Sequence, residues 1–378
     1  MSKMASVNIL DYKISCSQGD LNETVDAILN DNTEISSKNI NLNTQETTIP
    51  FFSFKDEVAQ NQKSIYAAIK NLLSKIVFNL DEQKRESTAL IIGTSLIDWH
   101  LVDAVNDSAY EYKKKPYHSQ KHSIDSYAKE LSREFGLNEF TMTINTACTS
   151  SANALLEASN LINCGVVDYA IVLGVEIYSP VMSNGFYTMD LISKTMPKPF
   201  DTERDGLVLG EAIAGILLGK ETSCWSLAGG FSNCNSQTIT SVSESGDECV
   251  EVMQKALLNS DLKAKDITAL KAHATGSYSN DLAEINAISK VFDRSLTFSA
   301  LKPYIGHTIG ASGVLEIALL MGSIDKKFIP KTISCKESIL KDYTPLKEHK
   351  ECSNGTFMCN YFGFGGNNIS LIIKKELS

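Results

Sequence analysis

The stretch FTMTINTACTSSANALLEASNLINC, residues 140–164, decides how the rest of this sequence is interpreted. It opens with alternating apolar residues, which predict a short β-strand. A Ser/Thr cluster at residues 149–151 then precedes an apolar run with helical spacing, and such residues commonly cap helix N-termini. The stretch therefore predicts a strand, a tight turn and a helix, with Cys148 at or just before the helix N-terminus.

This position of Cys148 allows two interpretations. The partial positive charge and the free backbone N–H groups at a helix N-terminus favour a thiolate, and hence a nucleophile. Alternatively, the thiol fills a small apolar gap, because free cysteines are often buried. The stretch alone leaves both open.

Composition excludes several classes of protein. The 378 residues are 43% hydrophobic and 21% charged, which is ordinary for a globular protein of two domains or two similar halves. The net charge of -10 argues against a general nucleic-acid or membrane-surface binder. No apolar run has membrane-spanning length and the N-terminus lacks a signal-peptide pattern, so we expect a cytoplasmic protein. Nine cysteines without a C-x-x-C pair predict reduced thiols.

The rest of the chain alternates predicted strands with predicted helices, which indicates an α/β protein with mostly parallel, buried sheets. The order of strand, turn and apolar helix occurs at residues 140–164 and again at residues 296–323, which indicates a duplicated half-domain. Residues 30–48, rich in Asn, Thr and Ser, predict a surface excursion, and residues 84–86 predict a solvated connection.

One basic segment, YEYKKKPYHSQKH, contrasts with the acidic chain. Its lysines Lys113, Lys114 and Lys115 belong either to a solvated face or to a local dock for an acidic partner. His118 and His122 have the spacing of two ligands on one helix face, but without a third ligand nearby we expect no metal site.

Two histidines occupy turns that follow predicted buried strands. His273 lies in KAHATGS and His307 lies in KPYIGH. A single histidine at a strand end is usually structural, but two of them beside glycines favour close approach of a substrate. Lys302 and Glu316 border the second turn, either as a surface pair or as groups that set the protonation state of the imidazole.

The C-terminal FGFGGNN, residues 362–368, alternates bulky apolar side chains with glycines that tolerate positive φ. It lacks the lysine of a phosphate-binding loop.

Taken in order, these motifs resemble those of the elongating β-ketoacyl-acyl carrier protein synthases (ketosynthases) of the thiolase superfamily. The resemblance covers roughly residues 84–376, and residues 1–80 fit only loosely. The matching motifs are TACTSS at 146–151, PFDTERDG at 199–206, HATGS at 273–277, K-x-x-x-G-H at 302–307 and FGFGGN at 362–367.

The resemblance implies a thiolase-like α/β fold with two similar halves stacked as five layers, α-β-α-β-α, each half with a mixed five-stranded sheet. Residues 1–220 would form the half that carries Cys148, and residues 221–378 the half that carries both histidines. Such proteins are normally dimers, so we expect a homodimer or a heterodimer with a second ketosynthase-like subunit.

The activity that the resemblance implies is a decarboxylative Claisen condensation. Cys148 would take an acyl chain from an acyl carrier protein thioester, and His273 and His307 would promote decarboxylation of malonyl-acyl carrier protein. The product is a fatty-acid or polyketide/polyene chain longer by two carbons. No cofactor or metal is implied, because the substrates arrive on the phosphopantetheine arm of the carrier protein.

The resemblance also implies roles for other residues. The backbone N–H groups of Cys148 and Phe364 would form an oxyanion hole. Carrier proteins are acidic, which favours a dock at Lys113–Lys115. The remaining matches are Lys302 and Glu316 as electrostatic support for the second histidine, Thr275 and Ser277 as hydroxyls for the phosphopantetheine arm, Phe364 as the gate and Phe186 in the acyl pocket.

Departures from the family pattern predict a specialised synthase, such as one that makes a polyene. Ala274 replaces the usual glycine and Pro303 replaces a small hydroxyl residue. A thiolase would carry a second catalytic cysteine in a Cys-x-Gly turn, and Cys359 does not fit. A priming synthase would pair its cysteine with His and Asn. A non-catalytic chain-length factor, which typically loses the nucleophile, remains the alternative from another functional class.

Overall fold

The computed structural model describes residues 6–42, 45–56, 58, 62–95, 125–234 and 243–376. The lysines Lys113–Lys115 and the pair His118 and His122 lie outside these residues. The strands are β1 Val7–Cys16, β2 Ser36–Leu42, β3 Gln45–Phe52, β4 Thr88–Gly93, β5 Thr141–Ile144, β6 Tyr169–Glu176, β7 Leu209–Gly210, β8 Ala212–Gly219, β9 Trp225–Cys234, β10 Ala269–Lys271, β11 Phe298–Ser299, β12 Phe328–Ile329, β13 Lys350–Glu351, β14 Gly355–Phe362 and β15 Asn367–Lys375.

The α-helices of the same ranges lie between these strands. None of them is long and apolar enough to cross a membrane. They are α1 Leu21–Leu29, α2 Gln62–Val77, α3 Glu82–Glu86, α4 Ser126–Phe135, α5 Ser150–Asn163, α6 Pro180–Thr188, α7 Asp247–Asn259, α8 Tyr278–Val291, α9 Lys302–Ile305 and α10 Ser312–Asp325.

Ten strands form one sheet in the order β11-β10-β14-β15-β9-β1-β8-β6-β4-β5. The order divides into two groups of five with the same topology, since in each group the strands, numbered along the chain, lie in the order 3-2-4-5-1. In each group the second strand pairs in parallel with the third and fourth, and the fifth pairs antiparallel with both neighbours. The groups meet where Val7–Ile9 of β1 pairs with β9. The repeated topology agrees with the predicted duplication.

Three clusters of buried apolar side chains lie where the helices pack on the two groups of strands. The largest cluster lies between the two groups of strands and contains one face of α5 together with most of α10. A second cluster packs α2 and α4 on the outer face of one group, and a third packs α7 and α8 on the outer face of the other. The resulting α-β-α-β-α stack confirms the fold class implied by the resemblance.

Two local predictions missed regular secondary structure. Residues 30–41 and 46–48 are exposed or half-buried apart from Ile40, as expected of a surface excursion, but residues 30–48 also contribute β2 and part of β3, which form an antiparallel hairpin. Ile40 and Ile49 are buried in it, so the alternation of apolar with Asn and Thr residues marked strands. Residues 84–86 are solvated, as predicted, and they belong to the short helix α3, which has no buried residue. Its N-terminus is capped by the Asp81 carboxylate, which accepts from the Lys84 N–H at 2.9 Å.

Gly313 permits the close contact between the two central helices. A Cβ at this position would lie 2.2 Å from the backbone nitrogen of Ala152 on α5. We expect Gly313→Ala to destabilise the fold by about 3 kcal/mol, because two packed helices would have to separate. Chemical denaturation would measure this loss.

The matched control is Gly185→Ala in α6, where an added Cβ meets nothing within 4 Å. We expect this variant to gain about 0.5–1 kcal/mol, because alanine restricts the unfolded chain. Equal stability changes in the two variants would contradict the packing argument.

Candidate active site

Cys148 lies on a single 3₁₀ turn, Ala147–Thr149, between β5 and α5. Ala147 adopts a left-handed φ of 54°, which makes the turn sharp, and the Cys148 side chain is buried. The position at the helix N-terminus is as predicted. The capping is not, because the Thr149 hydroxyl donates to the Thr146 carbonyl at 2.7 Å and makes no cap to α5.

His307 is in direct contact with this cysteine. Its Nε2 lies 3.1 Å from the Cys148 sulfur, and its Nδ1 lies 3.3 Å from the Ser312 hydroxyl. Ser312 begins α10, the helix that packs against the Cys148 helix α5, so helix packing brings the two groups together. With Nδ1–H donating to Ser312, Nε2 is free to accept the thiol proton.

His273 lies beside His307, with ring centroids 5.4 Å apart and ring planes at 86°. Neither nitrogen of the buried His273 ring has a hydrogen-bond partner within the described part of the chain. The turn itself is held by Glu284, whose carboxylate accepts the N–H groups of His273 and Ala274 at 2.8 and 2.7 Å. Ala274 has a left-handed φ of 48°, a region that favours the glycine it replaces. The imidazole is therefore available to a substrate.

Burial controls the protonation of all three groups. It raises the pKa of the Cys148 thiol to about 11, although the Phe364 N–H and the Lys302 charge act in the opposite direction. One of the two sequence-based interpretations was a thiolate, and the raised pKa instead indicates a neutral thiol that must pass its proton to a base. Burial and then the Lys302 charge lower the pKa of His307 well below its usual value, so the imidazole is neutral and suited to that role.

Lys302 and Glu316 meet as the sequence predicted. The Lys302 ammonium lies 2.6 Å from one Glu316 oxygen, and both side chains are buried. The second Glu316 oxygen lies 2.6 Å from Lys271, which sequence analysis did not identify as a functional residue. A lysine at the end of a buried strand, two residues before a histidine, was the available signal.

A pocket on the histidine side of Cys148 is lined by imidazole and hydroxyl groups and also by Leu191 and Leu207, and it is called the polar pocket below. It extends from Cys148, His273 and His307 to the hydroxyls of Thr275 and Ser277. These two hydroxyls lie 2.9 Å apart. Sequence analysis did not single out two further polar lining residues, Ser279 and Asn280.

An apolar pocket lies on the other side of the cysteine. Phe186 and Met182 of α6 line it together with Ile309. Cys148 and Phe364 line both pockets, and the Phe364 ring packs edge-to-face on Phe186 with centroids 5.4 Å apart. Phe364 therefore lies between a polar and an apolar approach to the same sulfur.

Glu176 is a second buried group that sequence analysis missed. It ends β6, and its carboxylate accepts from the Ser95 N–H at 3.2 Å, the Ser95 hydroxyl at 2.7 Å and the Gly310 N–H at 2.9 Å. Burial raises its pKa from 4.5 to about 7, and its charge raises the pKa of Cys148. A glutamate that ends an apolar strand was the signal.

This raised pKa predicts a pH-dependent stability. Between about pH 4.5 and 7 the native state keeps a proton on Glu176 that the unfolded chain has lost, so stability falls as the pH rises through this window. In Glu176→Gln the amide can satisfy the same partners without ionising. We expect this variant to match the wild type at pH 4 and to be about 2 kcal/mol more stable at pH 8, measured by urea unfolding.

A surface carboxylate provides the control for Glu176. The Lys84 ammonium lowers the pKa of Glu221, so Glu221→Gln should gain no stability at pH 8. A Glu176→Gln variant with the wild-type pH dependence would refute the assignment.

Comparison with known proteins places this geometry in context. The β-ketoacyl synthase N-terminal domain matches residues 32–223, and the β-ketoacyl synthase C-terminal domain matches residues 226–336. The 3-oxoacyl-[acyl-carrier-protein] synthase 2 of Vibrio cholerae is 28% identical over 322 residues, which are 78% of this chain and 78% of that protein.

Solved structures show the same fold. A ketosynthase in complex with its chain length factor from Xenorhabdus doucetiae superposes with a TM-score of 0.84 over 98% of each chain, at 23% identity. A complex of a type II polyketide synthase acyl-carrier protein with its ketosynthase, bound to the hexaketide, superposes with a TM-score of 0.85 over 99% of this chain and 100% of that chain, at 19% identity.

Proposed function

Because the chain belongs to the β-ketoacyl synthase family, we propose that it lengthens an acyl chain by two carbons through decarboxylative condensation with malonyl-acyl carrier protein. It is an acyltransferase. The observation that carries the proposal is the 3.1 Å contact between the Cys148 sulfur and His307 Nε2, at the point where the polar and apolar pockets meet.

The first step loads the enzyme. The Cys148 sulfur attacks the thioester carbonyl of acyl-acyl carrier protein while His307 Nε2 takes the thiol proton. The bond to the carrier thiol breaks, and that thiol leaves with the proton. The acyl chain, now a thioester of Cys148, extends into the apolar pocket beside Phe186.

The second step generates the carbon nucleophile. Malonyl-acyl carrier protein enters the polar pocket, and its arm contacts Thr275 and Ser277. The bond to the carboxylate carbon breaks, carbon dioxide leaves, and the electron pair forms the enolate of the carrier-bound acetyl group. His273 donates a hydrogen bond to the enolate oxygen, and His307 donates a second one in the tautomer that carries the proton on Nε2, with Nδ1 accepting from the Ser312 hydroxyl.

Condensation completes the cycle. The enolate carbon attacks the Cys148 thioester carbonyl, and the N–H groups of Cys148 and Phe364 hold the resulting oxyanion. Both N–H groups act on the sulfur, since each lowers the pKa of the thiol. The carbon–sulfur bond then breaks, the Cys148 thiolate takes up a proton from solvent, and the 3-ketoacyl chain leaves on the carrier protein.

The carrier protein is the expected partner, and the protein would act as a homodimer or with a second ketosynthase-like subunit. Four points stay predictions. They are the dock for the carrier protein at Lys113–Lys115, the absence of a cofactor, the cytoplasmic location and the division of the chain into halves at residue 220. The specialised chain, such as a polyene, is likewise proposed from Ala274 and Pro303. Ala274 keeps the left-handed φ of 48° that favours glycine, so the replacement adds a methyl group to the turn that holds His273.

One experiment tests the function. The protein is incubated with malonyl-acyl carrier protein and with saturated and unsaturated acyl-carrier proteins, and carbon dioxide release and intact masses are measured. We expect carbon dioxide release, an acyl adduct on the enzyme and a product longer by two carbons, with faster turnover of unsaturated chains. Equal turnover of saturated chains would overturn the specialised role only.

The competing function is that of a non-catalytic chain-length-factor-like partner of another ketosynthase. The retained Cys148 and its contact with His307 favour the catalytic role. A protein that forms no adduct and releases no carbon dioxide, but restores activity to a separate ketosynthase, would establish the alternative.

A further inference from the structure

Lys271 is a buried cation without an assigned role in the proposed reaction. It ends β10, and its side chain is 0% exposed. Its ammonium lies 2.6 Å from Glu316 Oε2 and 2.8 Å from the Asn360 carbonyl, and it covers the Tyr361 ring at 3.6 Å from the centroid. Removing an ammonium group from water costs free energy, and these contacts offset that cost.

The charges around Glu316 do not balance. Lys271 binds one oxygen of this carboxylate and Lys302 binds the other, each at 2.6 Å. Among the described residues, Glu316 is the carboxylate in ion-pair contact with either lysine. Burial lowers the pKa of Lys271, and the Glu316 carboxylate opposes this shift. With both lysines protonated, two ammonium groups and one carboxylate leave one net positive charge behind the site.

Each lysine precedes one of the histidines in the chain. Lys271 lies two residues before His273, and Lys302 lies five residues before His307. Both lysine charges lower the pKa of both imidazoles, after the larger effect of burial. The lysine that lowers the pKa of the Cys148 thiol is Lys302. Lys271 therefore acts on the two imidazoles, whereas Lys302 acts on the imidazoles and on the thiol.

We propose that Lys271 is a positioning residue for the decarboxylation step: by sharing Glu316 with Lys302, it keeps a net positive charge behind two neutral histidines. The charge stabilises the developing enolate, and it disfavours protonation of the imidazoles. This inference rests on the proposed function, because it assigns Lys271 a place in that reaction.

The other groups that face this cluster are not expected to supply the charge. They are Cys359 and Tyr361 of β14, whose pKa values burial raises, and the thiol of Cys148. The Glu284 carboxyl group accepts the His273 and Ala274 N–H groups, and burial raises its pKa to about 7, so it is neutral below that pH. Removing Lys271 should therefore change the field at the histidines directly.

The test is Lys271→Met, which keeps most of the side-chain length and removes the charge. We expect decarboxylation of malonyl-acyl carrier protein to fall about tenfold, while acyl loading of Cys148 changes by less than about twofold. In the pH–rate profile of decarboxylation, the acid limb should move to higher pH. The reason is that an imidazole without a neighbouring cation is protonated more easily.

A double variant separates charge from packing. Lys271→Met with Glu316→Gln leaves Lys302 alone and restores one net positive charge, so the acid limb should return towards its wild-type pH. Lys331→Met removes a lysine that is paired with Asp31 away from the site, and it should leave rates and pH profile unchanged. Thermal melting of each variant identifies any loss of folding.

Two outcomes would overturn the inference. One is a folded Lys271→Met protein with wild-type decarboxylation and pH profile. The other is a double variant that keeps the shifted limb of Lys271→Met. Wild-type protein that releases no carbon dioxide would instead refute the proposed function, so the two failures are distinguishable.

Discussion

Replacing Cys148 by alanine is expected to abolish the acyl adduct and to lower condensation by about 10⁴-fold or more. The sulfur is the atom that holds the acyl chain between the polar and apolar pockets, and alanine offers no nucleophile there. Decarboxylation of malonyl-acyl carrier protein should persist, because the two histidines stay in place. Intact-mass spectrometry of the enzyme and carbon dioxide release would measure the two effects separately.

The matched control is Cys164→Ala. Cys164 follows the last residue of α5, the helix that Cys148 precedes, and it is exposed. This variant should load and condense as the wild type does. An acyl adduct that survives Cys148→Ala but disappears in Cys164→Ala would show that the nucleophile has been misassigned.

His273→Ala is expected to lower decarboxylation by about 10²–10³-fold. The reason is that its unpartnered nitrogens face the polar pocket, where the enolate oxygen would form. Loading should be largely retained, because the histidine in contact with the sulfur is His307. Rapid-mix measurements of adduct formation and carbon dioxide release on the same sample would resolve the two steps.

A second histidine variant controls for surface effects. His349 accepts from the Lys331 N–H at 3.1 Å and lies outside both pockets. His349→Ala should therefore leave both steps unchanged. If His273→Ala lost loading and decarboxylation equally, the assignment of loading to His307 and of decarboxylation mainly to His273 would be wrong.

Local patterns in the sequence were sufficient for most elements. The strand before Cys148 and the helix after it, β5 and α5, lie where spacing and turn residues predicted them. The hairpin of β2 and β3 was missed because its Asn- and Thr-rich composition resembles a loop, and only pairing with a partner strand distinguishes the two. A short strand such as β11 is even harder to predict from its own residues, because pairing with a neighbouring strand defines it.

By itself the sequence determined which chemical groups exist and in what order: a cysteine before a helix, two histidines after strands, and a gate of alternating Phe and Gly. The tertiary structure decided how they act. Packing of α5 on α10 brings Cys148 and His307, 159 residues apart, to 3.1 Å. Burial makes the thiol neutral despite its helix N-terminus, and it places Lys271 on Glu316. Desolvation and long-range pairing depend on the whole fold, which no local pattern encodes.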